Sequence, residues 1–205
     1  MILCDIGNSN VDFYHDGKIW SQSLKEFKEY ASKEKVYFIS VNDTVTSELN
    51  ENYINIEEWF DFDTIYQGMG VDRIAACYTI ENGIIIDAGS AITVDVMSGG
   101  LHMGGYILPS INSLKECYAN ISNKLDKRIN PNVILDALPQ KTEDAISYGA
   151  IKPMLMMLEH TCGDKVVYFT GGDGKYFSKF FKKSIYDRTL IFRGMIKAIN
   201  NKENL

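Results

Sequence analysis

The chain has 205 residues, of which 45% are hydrophobic and 23% charged, the balance of a soluble globular protein large enough for one domain or two small lobes. Its net charge of −6 argues against nucleic acid as the main partner, because phosphate backbones are held by clustered Lys and Arg. It leaves room for a nucleotide held by a few N–H groups and a divalent cation.

In chain order, residues 1–6 and 11–15 read as strands around a Gly7-Asn8-Ser9 turn. Asp16-Gly17 is a two-residue hairpin signal leading into a third strand at 18–20. The charged stretch 23–35, with Leu24 and Phe27 on one face, predicts an exposed helix. Residues 36–41 form a short apolar strand, 47–66 are acidic and ambiguous, and 72–80 have helical spacing. The second half repeats the plan, with strands at 83–87, 91–97 and 101–108 and a Ser98-Gly99-Gly100 hairpin turn. Pro109-Ser110 opens a helix toward Leu125, 126–140 read as loop, and Thr142-Glu143-Asp144 cap a long apolar helix through His160. A buried strand at 166–170 ends in Gly171-Gly172-Asp173-Gly174, and helices at 175–181 and 189–200 finish the chain. Strand triplet, then helix and strand, twice over, predicts an α/β protein with mixed sheets, divided into lobes at 1–81 and 82–205.

Four cysteines without metal-site spacing lie in apolar stretches and read as buried free thiols. No leader is visible ahead of the first strand, and no apolar run approaches a membrane span, so a reduced cytoplasm and no membrane partner are expected. The methionines at 154, 156 and 157 read as helix core, and His15, His102 and His160 as structural or surface residues. Lys175, Lys179, Lys182 and Lys183 read as a solvated face.

The chemistry concentrates in two copies of one phrase, Asp5-Ile6-Gly7-Asn8-Ser9 and Asp87-Ala88-Gly89-Ser90, each following an apolar run. Strand–Asp-x-Gly presents a carboxylate and bare N–H groups, and a glycine lets phosphate oxygens approach the backbone. One copy would pass for an ordinary hairpin turn; two in matching contexts favour a phosphate site. Gly70-Val71-Asp72-Arg73 precedes a helix. Asp72 there would be held ionised by the helix dipole and could serve as a base, with Arg73 holding an anion. An N-cap aspartate with an unrelated surface ion pair would look the same. Spacing alone leaves Asp72 and Asp87 both open as the base.

Taken together, Asp5 to Asn10, Gly70-Val71-Asp72-Arg73, Asp87-Ala88-Gly89-Ser90-Ala91 and Thr170-Gly171-Gly172 resemble the ordered motif set of the type III pantothenate kinases. That family belongs to the sugar kinase, heat-shock ATPase and actin superfamily, so the resemblance implies duplicated actin-like lobes, related to the ribonuclease H fold. It further implies ATP-dependent phosphorylation of pantothenate, the first step of coenzyme A biosynthesis. The first loop, Asp5, Ile6, Gly7, Asn8, Ser9, Asn10, Val11 and Asp12, would bind ATP, with Asp5 also holding Mg²⁺ directly or through water. Ser90 would contact ATP, and Asp87 would ligate a monovalent cation, K⁺ or NH₄⁺. Tyr66, Gly70, Val71, Asp72, Arg73 and Thr142 would line the pantothenate pocket, with Asp72 as the proton acceptor. A homodimer is implied as well. Ser9 and Ser90 stand where threonine is usual, and Val71 where alanine is usual. The rival expectations are a polyphosphate hydrolase of the same superfamily and a nucleotide-binding regulator that has lost catalysis.

Overall fold

The computed structural model describes residues 1–27 and 34–204. The first sheet contains β1 (Ile2–Ile6), β2 (Asn10–His15), β3 (Lys18–Ser23), β4 (Val36–Ser40) and β5 (Tyr53–Asn55) in the order β3-β2-β1-β4-β5. The β1–β2 and β2–β3 pairs are antiparallel, whereas β4 pairs parallel to both β1 and β5. Along the chain follow α1 (Asp43–Thr46), a 3₁₀ turn (Glu57–Trp59) and α2 (Val71–Cys77). The second sheet is built from β6 (Gly83–Ala88), β7 (Ala91–Ser98), β8 (Leu101–Pro109), β9 (Val167–Thr170) and β10 (Ser184–Tyr186). Its order, β10-β9-β6-β7-β8, is the first order again read from the other edge. The remaining helices are α3 (Ile111–Ile121), α4 (Thr142–Cys162), α5 (Gly174–Ser178) and α6 (Leu190–Glu203). The expected duplicated α/β layout of mixed sheets is therefore present.

The chain forms two compact units, one of Met1–Ile85, Asp95–Gly104 and Asp187–Leu205, the other of Ile86–Val94 and Gly105–Tyr186. In the first, strand alternation sorts side chains onto two faces of the sheet. Ile2, Cys4, Ile6, Val11 and Phe13 pack with Phe38 and Tyr53 in one cluster. Leu3 and Ile39 face the other way, onto Val71 and Ala75 of α2 and Phe192, Met195 and Ile199 of α6. By the same alternation Asp5 and Asp12, paired across β1 and β2, lie on the α2 side.

Helices α2 and α6 approach so closely at Gly194 that a Cβ there would collide with the carbonyl of Ala75, whose carbon would lie 2.7 Å away. Backbone cannot yield as a side-chain tip can. Gly194→Ala should cost about 1–3 kcal/mol as the helices are forced apart. Thermal melting checks this, and an unchanged melting temperature would mean the contact is looser than described.

Several expected boundaries shift. Ser23 ends β3 and residues 24–26 form a turn, with Phe27 N–H donating to Ser23 O (2.8 Å), so the helix expected over 23–35 does not begin there. Residues 28–33 of that expectation lie outside the described residues. Helix α3 stops at Ile121, and Ser110 caps it by accepting from Ser113 N–H (3.1 Å). The first residue of α4 is Thr142; Lys141 holds the N-cap position without a side-chain bond. Cys4, Cys77 and Cys162 are buried free thiols as expected, but Cys117 is exposed. Met154 is core, while Met156 and Met157 are exposed. Strands β5 and β10, three residues each, went unread, as did α1.

Candidate active site

The two Asp-x-Gly loops are built alike but are not equal. In the first, Gly7 N–H donates to Asn10 O (3.0 Å), closing a turn over Asn8 and Ser9. In the second, Gly89 N–H reaches Ala91 O (2.9 Å), a turn one residue tighter around Ser90. Asn8, Ser9, Gly89 and Ser90 are exposed, while Asp5 and Asp87 are half-buried at the ends of their strands. This leaves both tips open to a ligand.

Asp5 and Asp12 stand directly opposite each other in the β1–β2 register. Like charges so placed oppose folding, and Ser21 Oγ–H bonds to Asp12. Mg²⁺ is commonly held by one or two carboxylates together with substrate phosphates. A pair of carboxylates beside open backbone turns fits that donor set. No cluster of three or more His, Cys, Asp or Glu that could hold a metal by itself occurs among the described residues.

In the second unit, Gly171 (φ 78°) is held against the second loop: a Cβ would clash with the Asp87 carboxylate and come within 2.6 Å of Ala88 backbone atoms. Asp173 N–H then donates to Ala88 O (2.9 Å). The sequence Thr170-Gly171-Gly172-Asp173 thus serves to seat the turn after β9 directly on the Asp87 loop.

The Gly70-Val71-Asp72-Arg73 turn lies in the first unit, near the first loop. Val41 connects them. Its N–H donates to Ile6 O (3.0 Å), and its Cγ1 would lie 3.5 Å from a Cβ placed on Gly70. Such a Cβ would also press on Asp72 Oδ1 at 2.6 Å, so Gly70 leaves the space that this carboxylate occupies. Gly70 is the N-cap of α2, which puts Asp72 in its first turn. Asp72 Oδ1 accepts from Arg73 N–H at 2.7 Å. Burial pushes its carboxyl above the usual range, outweighing the bond and charge of Arg73. That direction reverses the expectation that the helix dipole would dominate. Desolvation wins, and it makes the carboxylate a stronger base than an exposed aspartate.

Arg73 is buried, and its guanidinium is engaged. Nε donates to Asp95 Oδ2 (3.0 Å) and Nη2 to Asp95 Oδ1 (2.7 Å), a bidentate pair at 6% and 1% exposure. Burial works against the charge, but the Asp95 and Tyr66 contacts outweigh it and raise the pKa. The Tyr66 ring stacks on the guanidinium, 4.7 Å from centroid to Cζ. His102 Nε2 is 2.9 Å from Asp95 Oδ1, and its Nδ1 is 2.7 Å from Thr64 Oγ1. Sequence reasoning placed Arg73 and Tyr66 but missed Asp95, His102 and Thr64. The available signal was Asp95 itself, a lone carboxylate inside the apolar run Ile92-Thr93-Val94-Asp95-Val96-Met97. Thr142 is exposed at the start of α4 in the second unit.

Residues 60–164 match the profile of the family described as Type III pantothenate kinase. A protein of that description from Campylobacter jejuni is 49% identical over 100% of this chain and 99% of its own. Another, from Wolinella succinogenes, is 47% identical over 97% and 96%. Among solved structures, a C. jejuni protein described as a conserved Baf family transcriptional activator superposes with a TM-score of 0.89, at 47% identity and full coverage of both chains. A 2-dehydro-3-deoxygalactonokinase protein from Sinorhizobium meliloti shares the fold alone, with a TM-score of 0.62 at 9% identity, covering 98% and 96%.

Proposed function

From its membership of the type III pantothenate kinase family, to which this chain belongs, we infer that it transfers the γ-phosphoryl group of ATP to the primary hydroxyl of pantothenate. The product is 4'-phosphopantothenate, and the step opens coenzyme A biosynthesis. The observation that carries the site assignment is the half-buried Asp72 carboxylate, its pKa pushed up by desolvation, accepting from Arg73 N–H beside the Arg73–Tyr66 pair.

In this reading Asp72 accepts the hydroxyl proton as the alcohol oxygen attacks phosphorus. An aspartate is a weak base toward an alcohol even when its pKa is raised, so proton transfer comes late and positioning does most of the work. Gly70, Val71, Arg73 and Tyr66 shape and orient the substrate, and Thr142 adds a contact. The N–H groups and polar side chains of residues 5–12, with Ser90, hold the nucleotide. Mg²⁺, when bound, neutralises phosphate charge, and Asp5 would hold it. Asp87 would hold a monovalent cation, K⁺ or NH₄⁺. The halves 1–81 and 82–205 are read as the duplicated lobes, and the working state as a homodimer in the cytoplasm, where ATP is supplied. Exposed Ile107, Ile121, Met156 and Met157 in the second unit are apolar surface available to such a dimer. Among the described residues no helix is long and apolar enough to cross a membrane.

A second reading, a regulator without turnover, draws on the description of the C. jejuni structure as a transcriptional activator. Coupled ADP release separates the two. Pantothenate should stimulate ADP formation strongly, more in potassium than in sodium salts. ADP release that ignores pantothenate would overturn the kinase reading, and equal rates in both salts would remove the cation assignment.

A further inference from the structure

Behind the Asp72–Arg73 turn, five residues of the first unit close a ring, four of its links through side chains and one through the Tyr66 backbone N–H. Arg73 donates to both oxygens of Asp95. His102 meets Asp95 through Nε2 and Thr64 through Nδ1. Thr64 Oγ1 accepts from Tyr66 N–H at 3.0 Å, and the Tyr66 ring returns to the Arg73 guanidinium. The edge of Tyr66 also packs on the His102 ring, with centroids 6.0 Å apart. A backbone bridge pairs Thr64 with His102.

The donors and acceptors allow one continuous chain. Asp95 accepts, so His102 Nε2 carries a proton. Thr64 Oγ1 accepts from Tyr66 N–H and can give its own proton to His102 Nδ1, which then accepts. With the Nε2–H tautomer every group in the ring has a partner. His102 and Asp95 are 4% and 1% exposed, so water does not offer substitute partners.

We propose that Thr64, His102 and Asp95 are positioning residues for pantothenate recognition: their chain locks the Tyr66 ring and the Arg73 guanidinium against each other. The β7–β8 hairpin delivers Asp95 and His102 to this spot. The segment that carries Tyr66, between the 3₁₀ turn and α2, has little regular structure of its own. Its backbone is held here through Thr64. The inference rests on the pantothenate reading above.

Thr64→Val removes the hydroxyl at nearly constant volume and leaves Tyr66 N–H and His102 Nδ1 unpartnered. The KM for pantothenate should rise roughly tenfold, the range expected for breaking one part-buried hydrogen-bonded link. Both kcat and the KM for ATP should stay near wild type, and Thr64→Ser, which restores the hydroxyl, should recover the pantothenate KM. A scaffold-only role would lower stability without this split. An unchanged pantothenate KM in Thr64→Val, or a Thr64→Ser variant as impaired as Thr64→Val, would overturn the proposal. Nitrogen-15 shifts of the wild-type protein give a readout that needs no variant. His102 should appear as the Nε2–H tautomer, and an Nδ1–H tautomer would overturn the chain's polarity. If the wild-type protein released no ADP in response to pantothenate, the substrate reading would fall, while the His102 tautomer would still judge the ring.

Discussion

Asp72→Asn should lower kcat by about 10²–10⁴-fold, the range that a positioned general base contributes, while leaving nucleotide binding intact. The amide is isosteric and its oxygen can still accept from Arg73 N–H, so the turn at the start of α2 should keep its shape. The variant should also be more stable than the wild type at neutral pH. Burial raises the Asp72 pKa in the folded protein above its unfolded value. Stability associated with the protonated carboxyl is therefore present below the unfolded pKa and is lost as pH rises through the folded one. The asparagine variant has no charge to desolvate, so it should melt higher at pH 7, and the gap should close toward the unperturbed aspartate pKa of about 3.9. Site residues that cost stability are a known consequence of function. Pantothenate-dependent ADP release, nucleotide titration and melting across pH read these three effects. Near-normal turnover would remove Asp72 from its role, and a lower melting temperature at pH 7 would contradict the burial argument. Wild-type activity should also carry an acid limb shifted above the ordinary aspartate range.

The long apolar strands and their glycine turns were legible because each carries its own signal. Asp16-Gly17 and Gly99-Gly100 take the positive φ angles that hairpin turns demand. The edge strands β5 and β10 carry no such signal. Three residues are too few to show alternation, and each forms by pairing parallel to a strand already in place, β4 or β9. The site divides along the same line. Asp5, Asp87 and Asp72 sit in local motifs and could be read from them. Thr64 is joined to His102 only by the tertiary fold, across 38 residues, whereas Asp95 and His102, 7 residues apart, meet within the β7–β8 hairpin. The hairpin signal alone does not say which of its polar residues turn inward, so His102 reads as one more structural histidine. The Arg73 reading illustrates the limit. Spacing suggested a cation awaiting an anionic ligand, whereas folding commits two of its donors to a buried carboxylate before any substrate arrives.

That commitment makes Asp95 the residue whose loss should damage the fold most. It accepts from Arg73 Nε, Arg73 Nη2 and His102 Nε2 at 3.0, 2.7 and 2.9 Å. Asp95→Ala would leave a guanidinium charge at 6% exposure with no counter-charge. Removing one partner of a buried pair typically costs about 3–5 kcal/mol, because the remaining charge keeps its desolvation penalty and loses its compensation. Whole domains are stable by only about 5–15 kcal/mol, so this variant should be marginal near room temperature. Asp95→Asn keeps the volume and one accepting oxygen, but it turns an N–H₂ toward donors and removes the charge. It should fall between the two. Added salt should not rescue either variant, since a buried pair is poorly screened. Denaturant titration at low and high ionic strength tests the ranking. If Asp95→Ala unfolds within about 1 kcal/mol of wild type, the value of an exposed ion pair, then Arg73 is solvated in the working protein. In that case Arg73 would be free to meet the pantothenate carboxylate directly, and the sequence reading of that residue would stand over the one drawn from its burial.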